Sequence, residues 1–220
     1  MHHRHRRHLL ATAALLTALG SAHATPIGGP SSLTVAGVSF SDFGCTLTGS
    51  GGAFPGACSS IAVSANPQGD GIEFSSGFAA LPGSFSDATL SYQATDANGI
   101  TGVSLGFNGV FLGDAVASVT ETIRDAATNA QVGFLQVSCS QVNCTRNDPD
   151  AGFIALNGTY TDLLVQKDIT VAAGPGLAVT SIVDQGYRTI TNVPEPASMA
   201  MLSVGLVGFG MASRRRRGAA

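Results

Sequence analysis

The 220-residue chain has no tryptophan, three tyrosines, and no histidine beyond position 23. All five histidines (His2, His3, His5, His8 and His23) fall within the first 24 residues. If that stretch is a leader that is removed, a Ser-His-Asp triad and a Cys-His dyad are excluded within this chain. Histidine-ligated zinc, copper or iron is excluded with them. The scarcity of Trp and Tyr leaves few flat platforms on which sugar rings could stack. Charge is scarce as well, at 11% of residues, which argues against a disordered polyelectrolyte.

The little basic charge present is concentrated at the two ends. Seven of the 11 Lys and Arg residues are Arg4, Arg6, Arg7 and Arg214 to Arg217. Met1 to His8 form a basic head, Leu9 to Leu19 an apolar run, and Ala22-His23-Ala24 a small-residue stretch. That order is the layout of a secretory signal, with Ala22 and Ala24 at −3 and −1 of a cut after residue 24. The apolar run is too short to remain as a spanning helix. Arg6-Arg7 also fits a twin-arginine signal, but without the rest of that consensus the general secretory route is the expectation.

The other end reads Pro194-Glu195-Pro196, an apolar run through Ala212, Ser213 and four arginines. A helix over Ala197 to Ala212 would be about 24 Å long, slightly under a hydrocarbon core. Snorkelling arginines and local thinning close such a gap. The prolines mark its start, and Arg214, Arg215, Arg216 and Arg217 form a stop-transfer anchor kept in the cytoplasm. In this order, motif, apolar helix and arginines resemble the PEP-CTERM protein-sorting tail of exported proteins from Gram-negative bacteria that make exopolysaccharide. The resemblance implies as partner an exosortase, a membrane-embedded transpeptidase that processes the tail near Pro194, Glu195 and Pro196. The same tail is also known as an ice-binding-protein C-terminal domain, a label that describes the tail and not an activity. The resemblance covers about 25 residues and implies nothing about the rest. The expected organisation is a signal peptide at 1–24, an exported domain at 25–192 and the sorting tail at 193–220.

The exported segment keeps 4 basic and 13 acidic side chains, a balance of −9. An acidic domain of this kind has no reason to bind nucleic acid. Its pattern is that of short strands: Leu90, Tyr92 and Ala94 alternate with polar neighbours, as do Ile169 and Val171. Val119, Glu121 and Ile123 do the same, although Glu121 interrupts the apolar face. Further β-rich runs are Leu33 to Phe40, Ile61 to Ala65, Val103 to Phe111, Val132 to Cys139, Phe153 to Leu156 and Thr159 to Val165. Turn signals separate them at 66–71, 96–99, 108–109, 147–150 and 157–158. The expectation is a mainly β protein, an antiparallel sandwich of jelly-roll or immunoglobulin-like order.

Four cysteines, Cys45, Cys58, Cys139 and Cys144, all lie in this segment. In an oxidising compartment an even count reads as disulfides, and the local pairs Cys45–Cys58 and Cys139–Cys144 are the expected ones. Zinc is the competing reading, but the 12- and 4-residue gaps form no CxxC knuckle. Calcium is a further alternative at Asp148-Pro149-Asp150 and Asp96-Ala97-Asn98-Gly99, although ordinary Asx turns account for both. Four Thr-x-Thr pairs start at 46, 120, 159 and 189, too irregular for an ice-binding array. No catalytic residue and no cofactor is assigned. The expectation is a non-catalytic surface or matrix protein of the exopolysaccharide biofilm. The alternative is a carbohydrate-binding or carbohydrate-active module, with calcium dependence as one form of it, acting on exopolysaccharide.

Overall fold

Residues 24–27, 32–51, 54–146 and 153–190 are described in a computed structural model. Within them the alternating sequence forms antiparallel strands almost throughout. These are β1 (Thr25–Pro26), β2 (Leu33–Val35), β3 (Val38–Ser50), β4 (Ala62–Ala65), β5 (Gly71–Ala80) and β6 (Ser84–Leu112). They continue as β7 (Ala115–Asp125), β8 (Gln131–Ser140), β9 (Cys144–Arg146), β10 (Ile154–Ala173) and β11 (Leu177–Thr189). Among the described residues the one helical element is a 3-10 turn, Cys58–Ser60.

The strands build a sandwich in which β6 serves both layers. Its first part, Phe85 to Thr95, pairs with β3 on one side and β10 on the other. Its second part, Ile100 to Leu112, pairs with β11. The first layer runs β2-β3-β6-β10-β7-β8-β9, and the second runs β1-β4-β5-β11-β6. The turn signal at 96–99 therefore does not end a strand, as the sequence had suggested. The Asp96 carboxylate accepts the N–H groups of Asn98 (2.7 Å) and Gly99 (3.3 Å), and Gly99 has φ +100°. The Asx chemistry satisfies a bend that carries one strand from layer to layer.

Two other expected turns are also strand irregularities. Asn108 lies inside β6, where its Oδ1 accepts Ile182 N–H (3.2 Å) and Ser181 O–H (2.9 Å) at a register shift in β11. Asn157-Gly158 lies inside β10, at the shift between Ala155 and Tyr160. Phe153 to Leu156, Thr159 to Val165 and Ile169 to Val171 thus belong essentially to one long strand, with Phe153 just before it. Residues 66–71 do form a turn, with Asn66 Oδ1 accepting from Asp70 and Gly71 N–H. Leu33 to Phe40 is a hairpin, closed by Ala36 and Gly37, both at positive φ, as a type I′ turn requires. The turn signal at 147–150 lies outside the described residues.

Inward residues of both layers meet in one core. Phe40, Phe74 and Leu90 are fully buried, and Phe40, Phe43, Phe74, Tyr92 and Tyr187 form an aromatic cluster. Their ring centroids lie 5.2 to 6.4 Å apart, within the range where tilted and offset rings attract. Disulfides join Cys45 to Cys58 and Cys139 to Cys144, the second across the β8–β9 hairpin. All four thiols are used in these bonds, which removes the four-cysteine zinc alternative.

Candidate functional site

Alternation on β7 sends Ala117, Val119, Glu121 and Ile123 inward, and on β10 it sends Val165, Lys167, Ile169 and Val171. Antiparallel register then places Lys167 directly opposite Glu121 on the buried face of the first layer. From the second layer, β11 points Val183, Gln185 and Tyr187 at the same place. Glu121, Lys167 and Gln185 each have 0% exposure. A Glu and a Lys are almost never fully buried unless paired, so this polar cluster needs a physical account.

The three side chains satisfy one another. Lys167 Nζ donates to Glu121 Oε2 and to Gln185 Oε1, the latter at 2.7 Å. Gln185 Nε2 donates to Glu121 Oε1 at 2.6 Å. Beside them the Tyr92 and Tyr187 hydroxyls are hydrogen-bonded at 2.8 Å and bridge the two layers. Burial raises the Glu121 carboxyl above its ordinary value, opposed by the neighbouring Lys167. Burial lowers the Lys167 amine, opposed by Glu121. Burial therefore pushes both groups towards their uncharged forms, and each partner's charge opposes that push. Burial also raises both tyrosines well above their ordinary values, helped by their proximity to Glu121.

Backbone packing fixes Gln185 in place. A Cβ on Gly71 would stand 1.8 Å from the Gln185 carbonyl oxygen, so β5 can approach β11 here only as glycine. Asp70 O accepts Tyr187 N–H at 2.9 Å, holding the segment from the other side.

A second feature lies on the outer face of the first layer, an open groove of about 390 Å³. Register arranges its side chains in two rows, Gln93-Leu164-Arg124 and Ser91-Gln166-Thr122, with Asp42 and Asn129 at the margins. Gln93 Nε2 is held by the Asp162 carboxylate at 2.7 and 2.8 Å, and Arg124 Nη1 donates to the Asn129 carbonyl at 3.1 Å. Amide, hydroxyl and guanidinium groups thus share one exposed face.

Of the residues singled out in the sequence, the four cysteines are brought together in pairs. Asp96 is 5% exposed and its Oδ1 is occupied by backbone N–H groups, as in an ordinary Asx turn. Ala24 is exposed, whereas Ala22, Asp148, Asp150, the sorting motif Pro194-Glu195-Pro196 and Arg214 to Arg217 lie outside the described residues. Among the described residues no helix is long and apolar enough to cross a membrane, and the expected span at 197–212 lies outside them. Sequence reasoning flagged Glu121 as a break in an apolar face but missed Lys167 and Gln185. Lys167 shares its parity with Ile169 and Val171, and that was the available signal.

No curated protein matches the chain. Among solved structures it is similar to TmCBM61 in complex with β-1,4-galactotriose, at 8% identity and a TM-score of 0.37. That likeness covers 66% of this chain and 88% of the other. It is also similar to the enzymatically active domain of tailspike protein 4 of bacteriophage CBA120, at 16% identity and a TM-score of 0.31. Here 67% of this chain and 20% of the other are covered. Likeness at this level says nothing about what this chain binds. Residues 192–217 match the PEP-CTERM protein-sorting motif, which implies export and recognition by an exosortase. The chain therefore carries a PEP-CTERM sorting tail behind a disulfide-bonded antiparallel β-sandwich.

Proposed function

We propose that this is a non-catalytic exported protein whose sandwich has a structural or binding role in an exopolysaccharide matrix. The observation that carries the reading is the sorting motif at 192–217. An N-terminal signal sends the domain across the inner membrane, and the tail holds it there transiently. An exosortase-type transpeptidase then cuts near Pro194-Glu195-Pro196, and the domain moves to the cell surface or beyond. Its acidic balance of −9 keeps it soluble and repels it from polyanions.

The test is expression of the full chain in a Gram-negative host with and without its exosortase, followed by fractionation and intact-mass measurement. The expected result is a released form lacking Arg214 to Arg217 only when the exosortase is present. A released protein that still carries its arginines overturns the reading.

The outer groove supports a second reading, carbohydrate binding, because its two polar rows offer amide and guanidinium donors on an exposed face. A glycan array on the purified chain, followed by calcium titration, decides it. Binding that survives in Arg124→Ala, Gln166→Ala would move the ligand away from this groove.

A further inference from the structure

The buried cluster places an amine, a carboxamide and a carboxyl group in reacting order. Lys167 Nζ is 2.7 Å from Gln185 Oε1, and a carbonyl bond is about 1.23 Å, so Nζ lies no more than about 3.9 Å from Gln185 Cδ. That is close to the separation from which attack on a carbonyl begins. One carboxyl group touches both ends of such a reaction. Glu121 Oε2 contacts the attacking nitrogen, and Oε1 contacts the nitrogen that would leave, at 2.6 Å. None of the three residues is exposed, so water does not compete.

We propose that Lys167 and Gln185 become joined by an intramolecular amide between the two layers, with Glu121 as the proton carrier. The neutral Lys167 amine attacks Cδ, forming the Nζ–Cδ bond and a tetrahedral intermediate. Glu121, as the acid, gives its proton to Nε2 and takes one back from Nζ. The Cδ–Nε2 bond breaks, ammonia leaves, and Glu121 ends as the acid it was at the start. Nothing is oxidised or reduced and no further reactant is needed. Burial disfavours both charges and so lowers the cost of reaching the free amine and the protonated acid that the first step requires. Joining Lys167 to Glu121 instead would expel water, and it would use up the one carboxyl group able to carry the proton from Nζ to the leaving oxygen. The bond is a self-modification made once per molecule, and it does not depend on the sorting reading. The Cys139–Cys144 disulfide closes a hairpin within the first layer, whereas this amide locks β10 of the first layer to β11 of the second.

Trypsin provides the test on the full chain purified from a bacterial host, because cleavage sites flank both residues at Arg146, Lys167 and Arg188. An amidated Lys167 is not cut. The expected product is a single 147–188 peptide lighter than its sequence by about 17 Da, the mass of one ammonia. Separate 147–167 and 168–188 peptides at full mass overturn the proposal. So does a branched peptide joining Lys167 to Glu121, lighter by about 18 Da. Glu121→Gln keeps the shape but cannot carry the proton, and its digest should show both separate peptides. Full cross-linking in that variant would remove Glu121 from the reaction. If Glu121→Gln fails to fold, the wild-type digest still decides the bond. The reading is independent of how the chain ends are processed.

Discussion

Removing all three members of the buried cluster should do less harm than removing one. Lys167→Met alone leaves one Glu121 oxygen without a donor in a dry core. An unsatisfied buried acceptor costs about 1–3 kcal/mol. The substitution also abolishes the amide, whose 17 enclosed residues (168–184) correspond to a loop-closure stabilisation of about 3 kcal/mol. The single variant should therefore lose about 4–6 kcal/mol, a large share of the roughly 5–15 kcal/mol that holds a typical domain. Glu121→Leu, Lys167→Met, Gln185→Leu together lose the amide as well. They leave no orphaned polar atom, however, and a well-packed apolar replacement of a buried ion pair is neutral or gains about 1–4 kcal/mol. The triple variant should then lie within about 3 kcal/mol of wild type and well above the single variant. Urea unfolding with the disulfides intact reads this as midpoints at a common slope. A triple variant less stable than Lys167→Met would refute the reasoning. It would mean that the polar contacts stabilise the fold by more than their desolvation costs.

Other consequences can be measured independently. Burial and nearby carboxylates raise Asp168 (Asp87) and Asp184 (Glu73 and Asp70) above the ordinary value of 3.8. A raised folded value means the native state binds more protons, so stability should increase as pH falls from 7 towards about 4. Thermal melts across that window check the sign, and a monotonic decline would contradict it. Cys45→Ser, Cys58→Ser should lose about 3 kcal/mol and Cys139→Ser, Cys144→Ser about 2 kcal/mol, in proportion to their loop lengths. Denaturation of each pair variant gives the ranking, and a reversed order would show that native-state strain outweighs loop entropy. If the outer groove binds a glycan, Arg124→Ala should weaken it about tenfold or more by calorimetry, the loss of one charged hydrogen bond. Arg214–Arg217→Ala should release the chain from the membrane fraction. Unchanged retention would show that the arginines are not the anchor.

Much of the fold was legible because its strands follow period-2 patterning and its cysteines pair locally. Leu90-Tyr92-Ala94 and Val119-Glu121-Ile123 are inward rows on β6 and β7, as their alternation implied. What the pattern could not supply was continuity. Asp96-Ala97-Asn98-Gly99, Asn108-Gly109 and Asn157-Gly158 carry the composition of turns, and each lies within a strand. The same side chains that close a hairpin can cap the loose backbone of a bulge or bend. Which of these happens depends on the neighbouring strand, and the neighbour of Asn108 is Ile182, 74 residues away. Local composition marks where the backbone is irregular, and only long-range pairing determines whether the chain turns back there.

The cluster was half legible for a related reason. Glu121 stood out because its neighbours Val119 and Ile123 define an apolar face that it breaks. Lys167 sits on the face of Val165, Ile169 and Val171, and it breaks that face in the same manner. Two opposite charges at inward positions of separate strands suggest that the strands are partners, and here they are in register. Gln185 gave no such signal, because a glutamine is unremarkable in any strand and its partners come from the opposite layer. The pairing also bears on why the charges persist. An ion pair that only held two strands together could be replaced by hydrophobic residues with little or no loss. Gln185 satisfies the remaining proton and lone pair of the two groups, and its carboxamide is also the carbonyl that the proposed amide bond requires.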